Sequence, residues 1–225
     1  MNQKKVWFVV VAYKPDNEAL RSLIAAIHEW PMEIVDNTEK NLGYGGGANV
    51  GMKRAFDAGA QWVIVLNQDV KLTKKGITKF CNTLQKSEPG VVGPEVGSLD
   101  PKRWTTILAS ERSLDSLRSL GMTRNVYISG ALMAIHRNVW EATGGFYEPY
   151  VMYYEDADIC RRAKKVGFEL RQTEIDGFRH ESHESKQKEY YLARNHLLFV
   201  WRLAPISVKF YELIRLPKTI WETLW

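Results

Sequence analysis

The chain of 225 residues has only two cysteines, Cys81 and Cys160, and they stand far apart. No C-x-x-C pair exists, so a zinc ribbon is excluded and a disulfide framework is not expected. This cysteine usage suits a reducing compartment, and a cytoplasmic location is expected. No apolar run reaches the ~18 residues that a membrane-spanning helix needs. Met1 to Lys5 lead straight into a strand-like run, without the small-residue cleavage site of a signal peptide. Internal repeats, heptads and low-complexity tracts are absent. No Gly-Lys-Ser/Thr follows the glycines, which excludes a Walker A loop. No nucleic-acid-binding motif is present, and basic residues are not gathered around any motif, so no nucleic-acid partner is expected.

What is present is a weakly basic chain with an uneven charge. Its 31 basic and 26 acidic residues give a net charge of +5. Residues 186–225 alone carry seven basic side chains (Lys186, Lys188, Arg194, Arg202, Lys209, Arg215, Lys218) against three acids (Glu189, Glu212, Glu222). The same segment is rich in Trp, Tyr, Phe and Leu. A basic, aromatic tail fits a peripheral membrane contact or a protein partner, a dimer included. Packing on the chain's own domain is the plainer alternative.

Hydrophobic patterning alternates strands with helices. "VWFVVVAY" (6–13) is a continuous apolar run of the kind buried on both faces of a sheet. Leu20, Leu23, Ile24 and Ile27 predict a helix over 17–29. "MEIVDN" (32–37) predicts a second strand, 48–58 a helix, "WVIVLNQD" (62–69) a third strand and 74–86 a helix. "GVVGPEV" (90–96) offers a fourth strand, 97–125 an irregular connection, and "VYISGALMAIH" (126–136) another strand. Later come a short helix ending at glycine ("RNVWEATGG"), a helix over 153–167, and short strands at "FELRQT" and "IDGFRH". A helix over 186–203 stops near Pro205, and Ile206, Phe210, Leu213 and Ile214 share one face of a last helix over 206–216. The alternation predicts an α/β fold with a mostly parallel central sheet flanked by helices. One catalytic domain (1–203) with an amphipathic helical extension (204–225) is expected. In such sheets ligands bind outside the carboxyl ends of the strands, where Asp36 and Asp69 fall.

Three clusters can carry chemistry. "NLGYGGGANVG" (41–51) places Gly43, Gly45, Gly46 and Gly47 within five positions. They do not give G-x-G-x-x-G, and they follow the second strand rather than the first. Such density lets backbone N–H groups approach a phosphate or sugar, with a tight turn and close helix packing as the alternative. "YYEDADIC" (153–160) crowds Glu155, Asp156 and Asp158 at a helix start. Their mutual repulsion raises a carboxyl pKa while the helix N-terminus lowers it. "FRHESH" holds His180 and His183, and one histidine beside Asp69 would give an O/N ligand set suited to Mn²⁺ or Mg²⁺.

In order, the chain carries "VVVAYKP", "VDN", "NLGYGGGANVGMKRA", "VLNQDV", "SGALMAIHRNVWEATGGFYEPYVMYYEDADICRRAKKVG", a histidine and "YYLARN". This series resembles the family 2 glycosyltransferases of GT-A fold, in particular the bacterial rhamnosyltransferase-like branch, over roughly residues 6–200. The resemblance implies inverting transfer of a sugar from a nucleotide-sugar donor to a glycan or lipid-linked glycan acceptor. It implies that Asp36 contacts the nucleotide base, with Ala12 and Tyr13 lining that pocket. It makes Asn41, Gly43, Gly47 and Asn49 the nucleotide-sugar loop. Asp69 matches the last acid of the family's D-x-D motif, Asn67 stands where its first acid would be, and a divalent metal (Mg or Mn) is implied with His180 as a further ligand. Asp156 matches the general base, Glu155 and Asp158 are placed to orient the acceptor or support the helix, and Arg194 is placed at the diphosphate. By the same resemblance the donor is dTDP-rhamnose, with UDP-linked galactose, galactofuranose or glucose as alternatives.

Two other functions compete. A nucleotidyltransferase would carry a glycine-rich, basic loop after the first strand, where this chain has "KPDN". A non-catalytic glycosyltransferase-like scaffold or carbohydrate-binding protein is argued against by the presence of Asp69, Asp156 and His180 together.

Overall fold

The computed structural model describes residues 5–108, 125–180 and 186–224. Nine strands are found among them: β1 (Val6–Ala12), β2 (Met32–Asp36), β3 (Trp62–Asn67), β4 (Gly90–Gly93), β5 (Val96–Leu99), β6 (Thr106–Leu108), β7 (Val126–Ile128), β8 (Leu132–His136) and β9 (Glu169–Gln172). The α-helices are α1 (Asn17–Ile27), α2 (Gly43–Asp57), α3 (Lys74–Leu84), α4 (Arg137–Thr143), α5 (Glu155–Lys165), α6 (Lys186–Leu203) and α7 (Ile206–Leu224).

Six strands form the central sheet in the order β2-β1-β3-β8-β4-β9. All share one direction except β8, which is antiparallel to both neighbours. The sheet is therefore mostly parallel, as the alternation of strands and helices predicts. Its two faces follow from the period of two along each strand. Val9, Val11, Val63, Val65, Met133 and Ile135 point to one face, into a core shared with α2, α5 and α6. Val6, Phe8, Val10, Ile64, Leu66, Leu132 and Ala134 point to the other, against α1 and α3. Helix starts are set locally: Asp16 Oδ1 accepts from the backbone N–H groups of Glu18 (2.8 Å) and Ala19 (3.2 Å), and Thr73 Oγ1 accepts from Gly76 N (3.1 Å).

Several boundaries differ from the sequence expectation, each for a physical reason. The glycine cluster is not a loop ahead of a helix. It is the first turns of α2, and Gly43, Gly45, Gly46 and Gly47 are all buried. The helix needs them to lie close to the sheet: a Cβ at Gly47 would fall 2.8 Å from Val11 Cγ1 and 2.9 Å from Asn37 Nδ2. Residues 90–96 do not make one strand, because Pro94 interrupts the ladder and Val96 starts β5 in a separate antiparallel sheet, β6-β5-β7. The run 126–136 breaks likewise at Ser129–Ala131, leaving β7 in the small sheet and β8 in the large one. "IDGFRH" supplies only one isolated bridge, Lys71 to Arg179. The expected irregular connection contains β6, and its residues 109–124 lie outside the described residues, as do His183 and Met1 to Lys4. Helix α7 runs on past 216, and its first turn packs Val208 into the core beside Phe199 and Val200.

Candidate active site

The carboxyl ends of β1, β2, β3 and β4 reach one edge of the sheet. Because β8 runs the other way, its amino end, with Gly130 and Ala131, arrives at that edge too. Two adjoining cavities open there. One, of about 240 Å³, is walled by Val11, Tyr13, Asn37, Asn41, Gly43, Gln68, Asp69 and Tyr191 among others. The second, of about 390 Å³, is walled by Ser129, Gly130, Glu155, Asp156, His180, Lys188 and Leu192 among others. Tyr44, Asn67 and Met152 belong to both walls, so the cavities meet at the end of β3. A larger concavity of about 710 Å³ is an open trough along α3, lined by Lys74, Lys75, Lys79 and Lys86, and none of the sequence-predicted site residues lines it.

The seam is built by backbone and side chain together. Gln68 fastens the end of β3 to that of β1, accepting from Tyr13 N at 2.7 Å and donating to Tyr13 O at 3.1 Å. Asp69 Oδ1 is buried and has no hydrogen-bond partner. His180 Nε2 stands 4.0 Å from it and 3.4 Å from Asn67 Nδ2, while His180 Nδ1 faces Glu95 Oε2 at 3.9 Å. Glu95 Oε2 is likewise buried without a partner. Two ligands of one cation, each about 2.0–2.2 Å from it, can span the Asp69–His180 separation. An orphaned carboxylate oxygen beside an imidazole nitrogen thus fits a divalent ion. Among the described residues, no group of three or more His, Cys, Asp or Glu side chains could hold one unaided.

Asp156 sits at the start of α5 and faces the larger cavity. Its Oδ2 accepts from Gly130 N (3.0 Å) and its Oδ1 from Ala157 N (2.7 Å). Burial pushes its pKa up to about 6, against the pull of those backbone N–H groups. Glu155 is buried beside it with Oε2 unpartnered, and burial, then the Asp156 charge, hold its pKa well above the carboxylate range. Two adjacent carboxyls thus differ: Asp156 has two backbone N–H donors to offset its burial, and Glu155 Oε2 has no partner.

The turn ahead of α5 explains how Asp156 is aimed. Val151, Tyr153 and Tyr154 have φ of 66°, 66° and 75°, in the left-handed region that non-glycine residues avoid. Such strain needs a firm hold. Asn195 of α6, fully buried, donates its amide to the carbonyls of Tyr150 (2.8 Å), Met152 (2.7 Å) and Tyr153 (3.0 Å). From the other side Tyr44 N donates to Val151 O at 2.6 Å. Gly43, at φ 73°, leaves room for that contact, since a Cβ there would collide with the Val151 backbone. The Tyr44 hydroxyl donates to Gly130 O at 2.5 Å, tying α2 to the residue whose N–H holds Asp156.

The other sequence-predicted residues divide. Tyr13, Asn41, Gly43, Asn67 and Asp69 line the smaller cavity. Ala12 is buried behind the wall, its carbonyl accepting from Asn37 N at 2.7 Å. Asp36 is exposed at the neighbouring strand end, where the Thr38 hydroxyl and N–H hold its pKa below the usual value. Four others line neither cavity. Gly47 packs α2 on the sheet and belongs to no loop. Asn49 is occupied bracing the 146–148 turn, donating to Phe146 O and Glu148 Oε1 at 2.9 Å each and accepting from Phe146 N at 2.9 Å. Arg194 is turned to Pro149 O (2.9 Å) and Asn195 Oδ1 (2.7 Å), fixing the clamp rather than lining either cavity. Asp158, expected to orient the acceptor or to support the helix, is fully buried and bound to Arg162 Nε, to Arg202 Nε at 2.9 Å and to the Tyr150 hydroxyl at 3.1 Å, contacts that tie the helix to its surroundings.

Sequence reasoning passed over Glu95, Asn195, Tyr44 and Gly130. Three left a signal: for Glu95 an acid directly after proline in an apolar run, for Asn195 an asparagine inside a helix where its propensity is poor, and for Gly130 a Ser-Gly pair breaking a strand.

A model described as "Glycosyltransferase like family 2" matches residues 4–188. A low-salt glycan biosynthesis hexosyltransferase, Agl10, of Haloferax volcanii is 26% identical over 200 residues, covering 74% of this chain and 64% of that protein. An N-acetylglucosaminyl-diphospho-decaprenol L-rhamnosyltransferase of Mycobacterium tuberculosis is 29% identical over 180 residues, covering 64% and 57%. The chain thus spans 64% and 57% of the length of these two relatives. Among solved structures, the mannosyltransferase PcManGT of Pyrobaculum calidifontis, in complex with GDP-Man and Mn²⁺, superposes with a TM-score of 0.53 at 12% identity, over 97% of this chain and 69% of that one. Staphylococcus aureus TarS superposes with a TM-score of 0.51 at 16% identity, over 90% and 41%. At such identities these structures speak for the fold alone, which is GT-A. With the family model covering all but the last stretch of the chain, this protein belongs to glycosyltransferase family 2.

Proposed function

We propose that the protein transfers a sugar, with inversion, from a nucleotide-sugar donor to a glycan or lipid-linked glycan acceptor. The observation that carries this reading is the pair of adjoining cavities, with Asp69 and His180 at their seam and Asp156 facing the larger one. The nucleotide occupies the smaller cavity, against Tyr13, Asn41, Gly43 and Gln68. Asp36 lies at the neighbouring strand end, open to the base. The donor sugar and the acceptor hydroxyl meet in the larger cavity.

Asp69 and His180 would hold a divalent Mg or Mn ion, and that ion supplies charge neutralisation for the departing diphosphate. Asn67 adds no carboxylate, so the two protein ligands complete the site only together with donor diphosphate oxygens. Metal binding to the free protein is accordingly weak. Asp156, with a pKa of about 6, is ionised at neutral pH yet basic enough to take the acceptor hydroxyl's proton as that oxygen attacks the anomeric carbon. The Gly130 and Ala157 N–H groups fix its position. Glu155, which also lines the larger cavity, orients the acceptor. No covalent nucleophile is needed, because attack and departure happen on opposite faces of one carbon.

The name of one relative, an L-rhamnosyltransferase, supports rhamnose as the sugar, and we propose dTDP-rhamnose as the donor, with UDP-hexose or UDP-galactofuranose as the alternative. A cytoplasmic setting at the inner membrane face, with residues 1–203 as the catalytic unit and 204–225 as an extension, belongs to the same reading. The test is a thermal-shift panel of dTDP, UDP and GDP, each with and without Mn²⁺. One nucleotide should raise the melting temperature, and more so with metal. No shift from any nucleotide would sink the donor site.

A further inference from the structure

Helix α7 is attached to the body through Val208 and Glu212. Glu212 is 3% exposed, and its Oε1 accepts from Arg103 Nε at 3.1 Å. Val208, one turn earlier on the same side, is also buried. The opposite side carries the apolar residues. Ile206 is 76%, Phe210 63%, Leu213 55% and Ile214 71% exposed. These positions follow i, i+4, i+7, i+8, the spacing of a core-facing stripe, yet here the stripe faces out. Trp201, 68% exposed on the last turn of α6, lies alongside, with Lys209 Nζ 5.9 Å from its ring. A contiguous outward apolar stripe of this kind marks an interaction surface.

Charge decides the occupant. Over residues 206–215 the only acid is Glu212, and it is turned inward into the ion pair with Arg103. The remaining charged residues of that stretch are Lys209 and Arg215. Arg215 falls on the buried side with Val208 and Glu212, so Lys209 is the charged residue bordering the stripe and no acid of this stretch faces out. Apolar side chains beside a lysine, with Trp and Tyr at the margin, match the boundary between acyl chains and anionic headgroups. A second copy meeting this stripe about a twofold axis would bring like charges together. No helix among the described residues is long and apolar enough to cross a membrane, so α7 would lie on a bilayer rather than span it.

We infer that the outer face of α7, with Trp201, docks the protein on an anionic lipid bilayer. The inference bears on where the proposed transfer takes place but rests on the surface of α7 alone.

The test is co-sedimentation with vesicles of phosphatidylcholine plus phosphatidylglycerol and with vesicles of phosphatidylcholine alone. The protein should bind the anionic vesicles more tightly, and added salt should weaken that preference. The double variant Phe210→Ser/Ile214→Ser should lose roughly a hundredfold or more in vesicle affinity, as expected for removing two inserted apolar side chains. Both residues face outward, so the variant's melting temperature and nucleotide shift should stay near wild type. Ile107→Ser, at an exposed apolar residue of β6 that is not part of the stripe, should bind as wild type does. Equal binding to both vesicle types, or undiminished binding by the double variant, would overturn the inference. So would light scattering that shows a dimer which the double variant converts to monomer, since that assigns the face to a second copy. Failure of the vesicle test with an intact nucleotide shift would leave the transferase reading standing, and the reverse outcome would separate the two equally well.

Discussion

Asp156→Asn separates the energetics of the site from its chemistry. The carboxyl has a folded pKa of about 6 against an ordinary 3.8, because burial disfavours its charge. The native state therefore keeps this proton to higher pH than the unfolded chain does. The group's stabilising contribution is complete below the unfolded pKa, declines as pH rises through the folded value, and levels off above it. About two units correspond to ~3 kcal/mol at most. Asp156 opens onto the cavity, where water screens it, so roughly 1.5–3 kcal/mol is the working range. In Asp156→Asn this loss disappears. An asparagine also accepts from only one of the two N–H groups that Asp156 serves, a pH-independent penalty of about 1 kcal/mol. The informative quantity is thus the change in unfolding free energy between about pH 4 and about pH 8, measured by urea denaturation of both proteins. Wild type should lose roughly 1.5–3 kcal/mol more than the variant over that interval. Wild-type transfer should fall tenfold per pH unit below about 6, and the variant should transfer nothing while binding nucleotide normally. Identical pH dependence of stability in the two proteins, or wild-type turnover by the variant, would refute the assignment of Asp156 as a desolvated base.

Three further outcomes follow from the packing around the site. Asp158→Ala leaves Arg162 and Arg202 facing a buried gap and should destabilise the fold by about 3–5 kcal/mol in chemical denaturation, without changing nucleotide affinity in the folded fraction. Asn195→Ala removes the clamp from the left-handed turn; about 1–3 kcal/mol of stability should go, and kcat should fall more than KM changes, because the turn aims Asp156. Gly47→Ala should cost about 1–3 kcal/mol in denaturation by overpacking against Val11 and Asn37, while isothermal titration shows nucleotide affinity little altered. A large affinity loss with intact stability would return Gly47 to the ligand site.

The parallel sheet was legible because its strands are short apolar runs between amphipathic helices, and that pattern needs no tertiary information. Asp69, Asp156 and His180 were legible through the order of motifs. What the sequence hid were residues whose partners lie far along the chain. Asp158 looks like its neighbours Glu155 and Asp156, but its helical position turns it inward, where Arg202, 44 residues later, meets it. Asn195 resembles an ordinary helix residue until the turn 42–45 residues before it is folded beneath its amide. The glycines of α2 were ambiguous for a related reason. Close approach to a ligand and close approach to a sheet make the same demand on a side chain, and only the position of Val9, Val11 and Val151 decides between them. The breaks at Pro94 and Gly130 were visible as residues, but that each hands the chain from one sheet to another is a property of the pairing.

The central claim is that Asp69 and His180, completed by a donor diphosphate, form a divalent-metal site for sugar transfer. Its most direct test is release of nucleoside diphosphate from a panel of dTDP-, UDP- and GDP-sugars, with and without Mn²⁺, by wild type and Asp69→Asn. One donor class should be turned over by wild type only with the metal, and the variant should release none. Turnover by Asp69→Asn at the wild-type rate, or metal-independent release by wild type, would contradict the account.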